Sequence, residues 1–384
     1  MAESTTLSPW TSGTLDIHHI DTKCGSATFI KCPDGTTILL DCGNGKEDLD
    51  ETRPEGSRRH GQRVARYAMH HGDCKSLDYM IATHVHPDHV GDVHSDKSAS
   101  GDGFQLTGLS DVDHLIPATL VIDRAYPEYG LRPPLAAPFA ANYVAWLRAR
   151  QQAGRHVAEV DVGSERQITL KSPQDYPTFS FRTIAANGWV WTGNGEESRS
   201  TFPDLSSLPP EALPDENKCS IAALLSYGPF RYYSGGDLSF DTYDGRYPWM
   251  DIEAAVTKVA GKVDVALANH HAYFDACGAD FVKHLDAQAY IIPAWHHTHS
   301  GMAQLQRLLG AWPDQKTRTK VFATGMTPLS CEMNKRFLGD MCSTKGHVVV
   351  RVARGGDSFR IFVLDSESES VVAEHGPLSC SAGP

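Results

Sequence analysis

The chain has 384 residues, enough for one large domain or two, and its 41% hydrophobic and 21% charged content suits a globular enzyme with a full core rather than a disordered chain. A formal net charge of −12 argues against a surface that tracks a polyanion, because holding a nucleic-acid backbone needs clustered Lys and Arg. The 9 cysteines are scattered and form no CxxC pair, so they suggest neither a disulfide scaffold nor a structural zinc site built from cysteines alone, and a reducing, cytoplasmic setting fits them best.

The opening residues, MAESTTLSPW, have neither the basic start nor the apolar run of a secretory leader, and no stretch reaches the ~18 apolar residues of a membrane helix. Residues 1–14 therefore read as an N-terminal extension of a soluble protein. Residues 15–42 predict three strands, LDIHHIDT, GSATFIKC and TTILLDCG, with Pro33-Asp34-Gly35 as the hairpin turn between the last two. Asp41 ends the third strand, where a buried carboxylate is costly unless hydrogen-bonded. Residues 44–58 read as a charged loop able to reach over a site, and residues 59–76 as a helix spaced through Val64, Tyr67 and Ala68. His70 and His71 close that helix, where imidazoles interact favourably with its C-terminus, and are not read as ligands.

Residues 78–94, LDYMIATHVHPDHVGDV, bring a buried strand to an abrupt end in His84, His86, Asp88 and His89. Imidazoles at 84 and 86 can converge on one ion while Asp88 and His89 turn toward a second, a nitrogen and oxygen donor set suited to Zn²⁺ and acceptable to Mn²⁺ or Fe²⁺. Further on, His94 reads as a helix residue near the pocket, and residues 95–103 as a mobile loop. The run 114–125 predicts a strand near Leu120 to Ile122, with His114 as the histidine of this half placed to complete the first ion site. Residues 136–153 predict a helix, 156–185 strands in VAEVDVG, RQITL and FSFRTIAA, and 193–216 a Gly-, Ser- and Pro-rich linker or lid.

In the second half, KCSIAALLSYGPFRYYSGGDLS predicts two strands running into Gly235-Gly236-Asp237. A single carboxylate there can touch two ions ~3.5–4 Å apart, which makes Asp237 the best bridging ligand. A helix over 251–260 precedes VDVALANHHAYFDA, which places His270 at a strand end. Residues 278–290 predict a helix into a strand, and AYIIPAW ends at His296, His297 and His299, where His296 or His299 can donate a proton to a leaving oxygen, grip an anionic group, or lie on a solvent loop. A helix at 302–311, a strand in KVFATG and a hairpin around Arg354-Gly355-Gly356 close the domain, and residues 366–384 read as a frayed, flexible tail.

HVHPDH resembles the HxHxDH signature of the metallo-β-lactamase fold superfamily. LDIHHIDTKCGSATFIKCPDGTTILLDCG, the Asn217 and Ser220 entry, Gly235-Gly236-Asp237 and HHAY are together similar to the ComEC-like, stand-alone metallo-hydrolase branch, with departures at DTKCGSA and at HHAY, where that branch favours HHGS. The resemblance implies an α/β, αββα sandwich over 15–365, with an insertion between its halves at about 95–210. It also implies a metal set of His84, His86, Asp88, His89, Asp237 and His270, with Asp41 bracing the HxHxDH loop, Asn217 helping the first ion, and His271 pointing elsewhere, toward substrate or solvent. The third histidine that most binuclear members add between the two halves has no obvious counterpart, since between 90 and 236 only His94, His114 and His156 occur.

The expected function is a binuclear metal-dependent hydrolase in which a metal-bound hydroxide, held between the ions by Asp237 and with Asp88 also counted as catalytic, attacks a phosphodiester in a small anionic substrate or, against the negative net charge, in nucleic acid. Hydrolysis of esters, lactones or amides on the same fold is the alternative enzyme, and a metal-containing binding protein without turnover the alternative class.

Overall fold

Period-2 alternation of apolar side chains builds the first sheet of the protein, whose computed structural model describes residues 6–44, 59–93, 100, 102–131, 136–312 and 318–380. β1 (Leu15–His19), β2 (Thr28–Lys31) and β3 (Thr37–Leu40) form an antiparallel meander, as predicted. α1 (His60–Gly72) leads to β4 (Leu77–Ile81), which lies parallel to β3. After the one-turn α2 (Pro87–Val90) come α3 (Gly108–Leu115), β5 (Ala118–Asp123), α4 (Pro138–Gln152) and β6 (His156–Glu159), and both strands continue the parallel run.

The chain then crosses to a second sheet. β7 (Phe179–Ala186), β8 (Trp189–Trp191), β9 (Ser198–Ser200), β10 (Ala222–Tyr227) and β11 (Phe230–Ser234) form its antiparallel half. α5 (Ile252–Ala260), β12 (Val265–Leu267), α6 (Ala279–Leu285), β13 (Ala289–Ile292), α7 (Met302–Leu308) and β14 (Lys320–Ala323) form its parallel half. α8 (Pro328–Met333) leads back to the first sheet through β15 (His347–Val352), β16 (Ser358–Leu364) and β17 (Val371–Ser379). Among the described residues the sheet orders are β17-β16-β15-β1-β2-β3-β4-β5-β6 and β14-β13-β12-β11-β10-β7-β8-β9.

The core lies between the sheets, where Leu15, Ile17, Ile38 and Leu40 meet Leu225, Tyr232, Val265 and Ile291. Burying each such side chain stabilises by about 1.5–3 kcal/mol. α1, α3 and α4 cover the outer face of the first sheet through Val64, Tyr67, Val112 and Trp146. α5, α6 and α7 cover the second through Val256, Phe281 and Leu305. This is the expected αββα sandwich, with additional β-structure beyond its core.

Three expectations change. Residues 371–379 are no frayed tail but the edge strand β17, which pairs with β16 along its backbone and touches the core through Ala373, His375 and Leu378. RQITL forms no strand; it lies outside both sheets and buries Ile168 and Leu170 in the core between them. The polar stretch 193–216 supplies β9 and ends in the buried Glu216, so it is more than a linker. Residues 1–5, most of the 44–58 loop, His94, most of 95–103 and residues 381–384 lie outside the described residues. Among the described residues no helix is long and apolar enough to cross a membrane.

Candidate metal centre

Loops leaving the carboxyl ends of β3, β4, β11, β12 and β13 meet at one edge of the sandwich, the end at which parallel strands present side chains to a ligand. Beyond β4 the chain bends at His84 and Val85, and Pro87 then opens α2 at the helical position whose N–H would have no intrahelical acceptor. Two glycines let this loop sit down. Ser26 N donates to Asp88 O at 2.9 Å, and a Cβ on Gly43 or Gly25 would fall 1.7 or 2.4 Å from that same oxygen.

The side chains form two groups that share Asp237. His84, His86 and Asp237 offer donor atoms within 4.8 Å of one another, and so do Asp88, His89, Asp237 and His271. His84 Nε2 lies 3.1 Å from His86 Nδ1 and 3.6 Å from Asp237 Oδ2. His89 Nε2 lies 3.2 Å from Asp237 Oδ1 and 3.8 Å from Asp88 Oδ2, while His271 Nε2 lies 3.0 Å from Asp88 Oδ2.

The far sides of the His89 and His271 rings are fixed. Asp41, in the left-handed region at φ 58, accepts from Thr83 N at 2.8 Å, from Thr83 Oγ1 at 2.7 Å and from His89 Nδ1 at 2.8 Å. His271 Nδ1 donates to Pro293 O at 2.9 Å. Both histidines are thereby held as tautomers whose Nε2 faces the centre, the arrangement that outer hydrogen bonds give metal-ligating imidazoles.

The donor set fits a divalent cation. His89 Nε2 is buried without a hydrogen-bond partner, a loss that a bound ion would remove. Burial opposes any charge here, yet Asp237, Asp41 and Asp88 together draw positive charge onto His89 and raise its pKa well above the imidazole range. Burial is likewise outweighed at Asp237, where the imidazoles of His89, His271, His270 and His84 hold the carboxyl ionised. A dication between these groups answers the same field.

Beneath the loop, Glu216 Oε1 accepts from Val85 N at 2.8 Å and from Arg124 Nε at 2.7 Å, and Glu216 Oε2 accepts from Arg124 Nη2 at 2.7 Å. Sequence reading missed both residues. The available signal was Asp123-Arg124, a charged pair ending a buried parallel strand beside the metal loop, which must find partners.

Other expected residues fall in different places. His271 does not point away: consecutive left-handed residues, His270 at φ 45 and His271 at φ 53, swing it inward, where it is 1% exposed. His270 stands at the rim instead, with Nδ1 2.7 Å from Asp275 Oδ1 and Nε2 3.8 Å from Asp237 Oδ2. Burial works against its charge, but Asp237 and Asp275 raise its pKa to about 9. Asn217 Nδ2 is 3.4 Å from His270 Nε2, and Asn217 Oδ1 is buried without a partner. His114 cannot complete the first group, because it is exposed in the last turn of α3 and lines a separate surface cavity with Trp146 and Arg155. His299 is buried and stacks on His271 at 4.6 Å, and His296 is half-buried with Nδ1 2.9 Å from Thr298 Oγ1.

Residues 24–100, which span β2 to β4 and the HVHPDH loop, match the model of the metallo-beta-lactamase superfamily. The fold is a metallo-β-lactamase-like αββα sandwich. Similar solved structures include a putative metal-dependent hydrolase from Parabacteroides distasonis, 12% identical, covering 82% of this chain and 94% of that one at a TM-score of 0.37. Unliganded yeast PDE1 is 11% identical over 88% of this chain and 99% of that one at a TM-score of 0.39. A diphosphatase from the PhnP family is 13% identical over 88% and 96% at a TM-score of 0.35. No curated protein matches the sequence. Within this metallo-β-lactamase fold, the clustered His and Asp side chains form a site for two ions of the kind that metal-dependent hydrolysis uses.

Proposed function

We propose that the chain hydrolyses phosphodiesters in small anionic substrates. The observation that carries this reading is the sharing of Asp237, whose Oδ1 faces His89 at 3.2 Å and whose Oδ2 faces His84 at 3.6 Å. His84, His86 and Asp237 would hold one divalent ion, and Asp88, His89, His271 and Asp237 the other. Zn²⁺ is the first choice for such donors, with Mn²⁺ or Fe²⁺ as alternatives. Bound there, the ions would supply positive charge to the substrate oxygens and a more acidic water.

The chain's own residues do the positioning. Asp88 Oδ2, 3.0 Å from His271 Nε2 and 3.8 Å from His89 Nε2, fixes the second ion's side of the site. His270, with its charge favoured by Asp237 and Asp275, stands where an anionic oxygen would enter, and Asn217 flanks it. Burial, with the neighbouring histidines, lowers the pKa of His299 and of His296. Both stay neutral near pH 7, so their part is to offer a ring N–H to an anionic oxygen rather than to deliver a proton.

Placement beside the ComEC-like branch rests on HVHPDH, Asn217 and Ser220, Gly235-Gly236-Asp237 and HHAY. The 9 cysteines, scattered and without a CxxC pair, support a reducing, cytoplasmic setting, and the net charge of −12 disfavours long nucleic acid as substrate.

The test is elemental analysis, followed on the same sample by cleavage of bis(p-nitrophenyl) phosphate and of a simple p-nitrophenyl ester with Zn²⁺ or Mn²⁺ added back. Two ions at this centre, with diester cleavage that falls to background in Asp237→Ala, are expected. Ester cleavage without diester cleavage would transfer the assignment to the ester, lactone and amide hydrolases. Metal without turnover of either would leave a binding protein.

A further inference from the structure

A second group of metal-type donors lies on the outer face of the first sheet, apart from the loops of the candidate centre. His70 and His71 occupy the last turn of α1, and Glu369 lies on the turn between β16 and β17. Glu369 Oε2 sits 2.8 Å from His70 Nδ1 and 2.9 Å from His71 Nε2, and the three donor atoms lie within 4.8 Å of one another. We propose that His70, His71 and Glu369 form an additional divalent-metal site that clasps α1 to the β16–β17 turn.

Four observations carry this. Around a tetrahedral Zn²⁺, donors at ~2.0–2.2 Å stand about 3.3 Å from each other, so the two carboxylate–imidazole distances need to open by only a few tenths of an ångström. The Glu369 side chain is 4% exposed and Arg66 binds its other oxygen, which orients the carboxylate as an outer hydrogen bond does at metal sites. The terminal carbonyls of α1 carry partial negative charge toward a cation in its last turn, and Asp73 lines the same cavity. That cavity, about 390 Å³ and walled by Trp10, Lys31, Arg351 and Ser368, leaves room for a water or a small anion as the fourth ligand.

The site bridges segments 298 or more residues apart in sequence, so an ion there would cross-link the helix to the C-terminal strands. The proposal stands apart from the two-ion centre, because the two share no residue.

The experiment is a Zn²⁺ and Co²⁺ titration of the chelator-stripped full chain, reading stoichiometry and the Co²⁺ visible spectrum, with Glu369→Gln, His70→Ala and Asp237→Ala. Three ions on the native chain, two on Glu369→Gln and a single ion retained by Asp237→Ala are expected, with added Zn²⁺ raising the Tm of Asp237→Ala. His70 is 63% exposed, so His70→Ala covers the case in which Glu369→Gln does not fold, and its affinity for the extra ion should drop about tenfold or more. The same ion count and affinities in the native chain and in the folded variants at 70 or 369 overturn the clasp and leave the two-ion centre untouched. One ion on the native chain, lost in Glu369→Gln and kept in Asp237→Ala, upholds the clasp and sinks the two-ion reading.

Discussion

Asp41 and His89 are joined by a 2.8 Å hydrogen bond from Nδ1 to Oδ2 that ties the end of β3 to the metal loop after β4. The same carboxylate takes the N–H and hydroxyl of Thr83, so one side chain sets both the backbone entry to the loop and the ring plane of its last histidine. Asp41→Asn can keep some of these bonds but loses the charge that polarises the ring. Metal affinity should fall by about 10–100-fold, as for other outer-sphere partners of ligating histidines. Equilibrium dialysis with Zn²⁺ reads this directly, and unchanged affinity would deny Asp41 the bracing role.

Arg124 and Glu216 make a buried, bidentate pair under the same loop, and Glu216 also holds Val85 N. Truncating one member leaves an unpaired buried charge, which costs about 3–5 kcal/mol. Arg124→Met should therefore lower stability by that amount in urea unfolding. Arg124→Met with Glu216→Leu should regain much of it, since apolar replacement of both partners is often neutral. Metal binding should remain weakened in the double variant, because Val85 N has lost its acceptor. A single Arg124→Met variant as stable as the native chain would show that the pair does not hold the loop.

How far the sequence could be read follows from how local each signal is. HVHPDH was legible because its ligand chemistry is packed into six consecutive residues after an apolar strand, and β1 to β3 were legible from alternation and a Pro-Asp-Gly turn. The choice between His270 and His271 was not, since it depends on two successive left-handed residues that no periodicity announces. Glu216 was hidden because its partners, Arg124 and Val85, lie 92 and 131 residues away. β17 escaped because an edge strand is held by main-chain bonds, which leave little mark on composition. His114 was favoured for being a histidine in the right half, and its exposed place at the end of α3 shows how little residue type alone decides.

Gly43 has no room for a side chain: its Cβ would lie 1.7 Å from Asp88 O and 2.2 Å from Asp88 C. Backbone atoms cannot swing aside as a flexible side chain could, so Gly43→Ala must push Asp88 and His89 out of register with Asp237. Overpacking of this kind costs about 1–3 kcal/mol of stability. The larger effect should be on metal content, with the second ion lost first. Gly339→Ala, whose Cβ would meet nothing within 4 Å, serves as the control and should keep native metal content and melting temperature. Native metal content in Gly43→Ala would mean that the loop tolerates the shift.

Acid should loosen the fold through two buried histidines remote in sequence but joined by one sheet. Burial depresses His19, on β1, to about 3 and His347, on β15, to about 4, against an ordinary value of 6.5. A base depressed in the folded state takes its proton first in the unfolded chain, so unfolding absorbs protons below pH 6.5. Their contribution is complete above pH 6.5 and is lost progressively as pH falls through about 4 for His347 and about 3 for His19. Glu369 acts in a lower window: burial is outweighed by its bonds to His71, Arg66 and His70, its pKa is depressed, and its stabilisation is lost only as pH drops below the ordinary 4.5. Between pH 6 and 4.5, then, His19 and His347 make Tm fall with acid, against Glu253, whose carboxyl burial raises to about 8 and which gives up its proton on unfolding in the same window. His347→Gln keeps an acceptor for the 3.0 Å bond from Asp21 N while removing the titration. That variant should show a shallower slope there, with proton uptake on unfolding at pH 5 reduced by about one. An unchanged slope and uptake would show that His347 already takes its proton in the folded chain at pH 5.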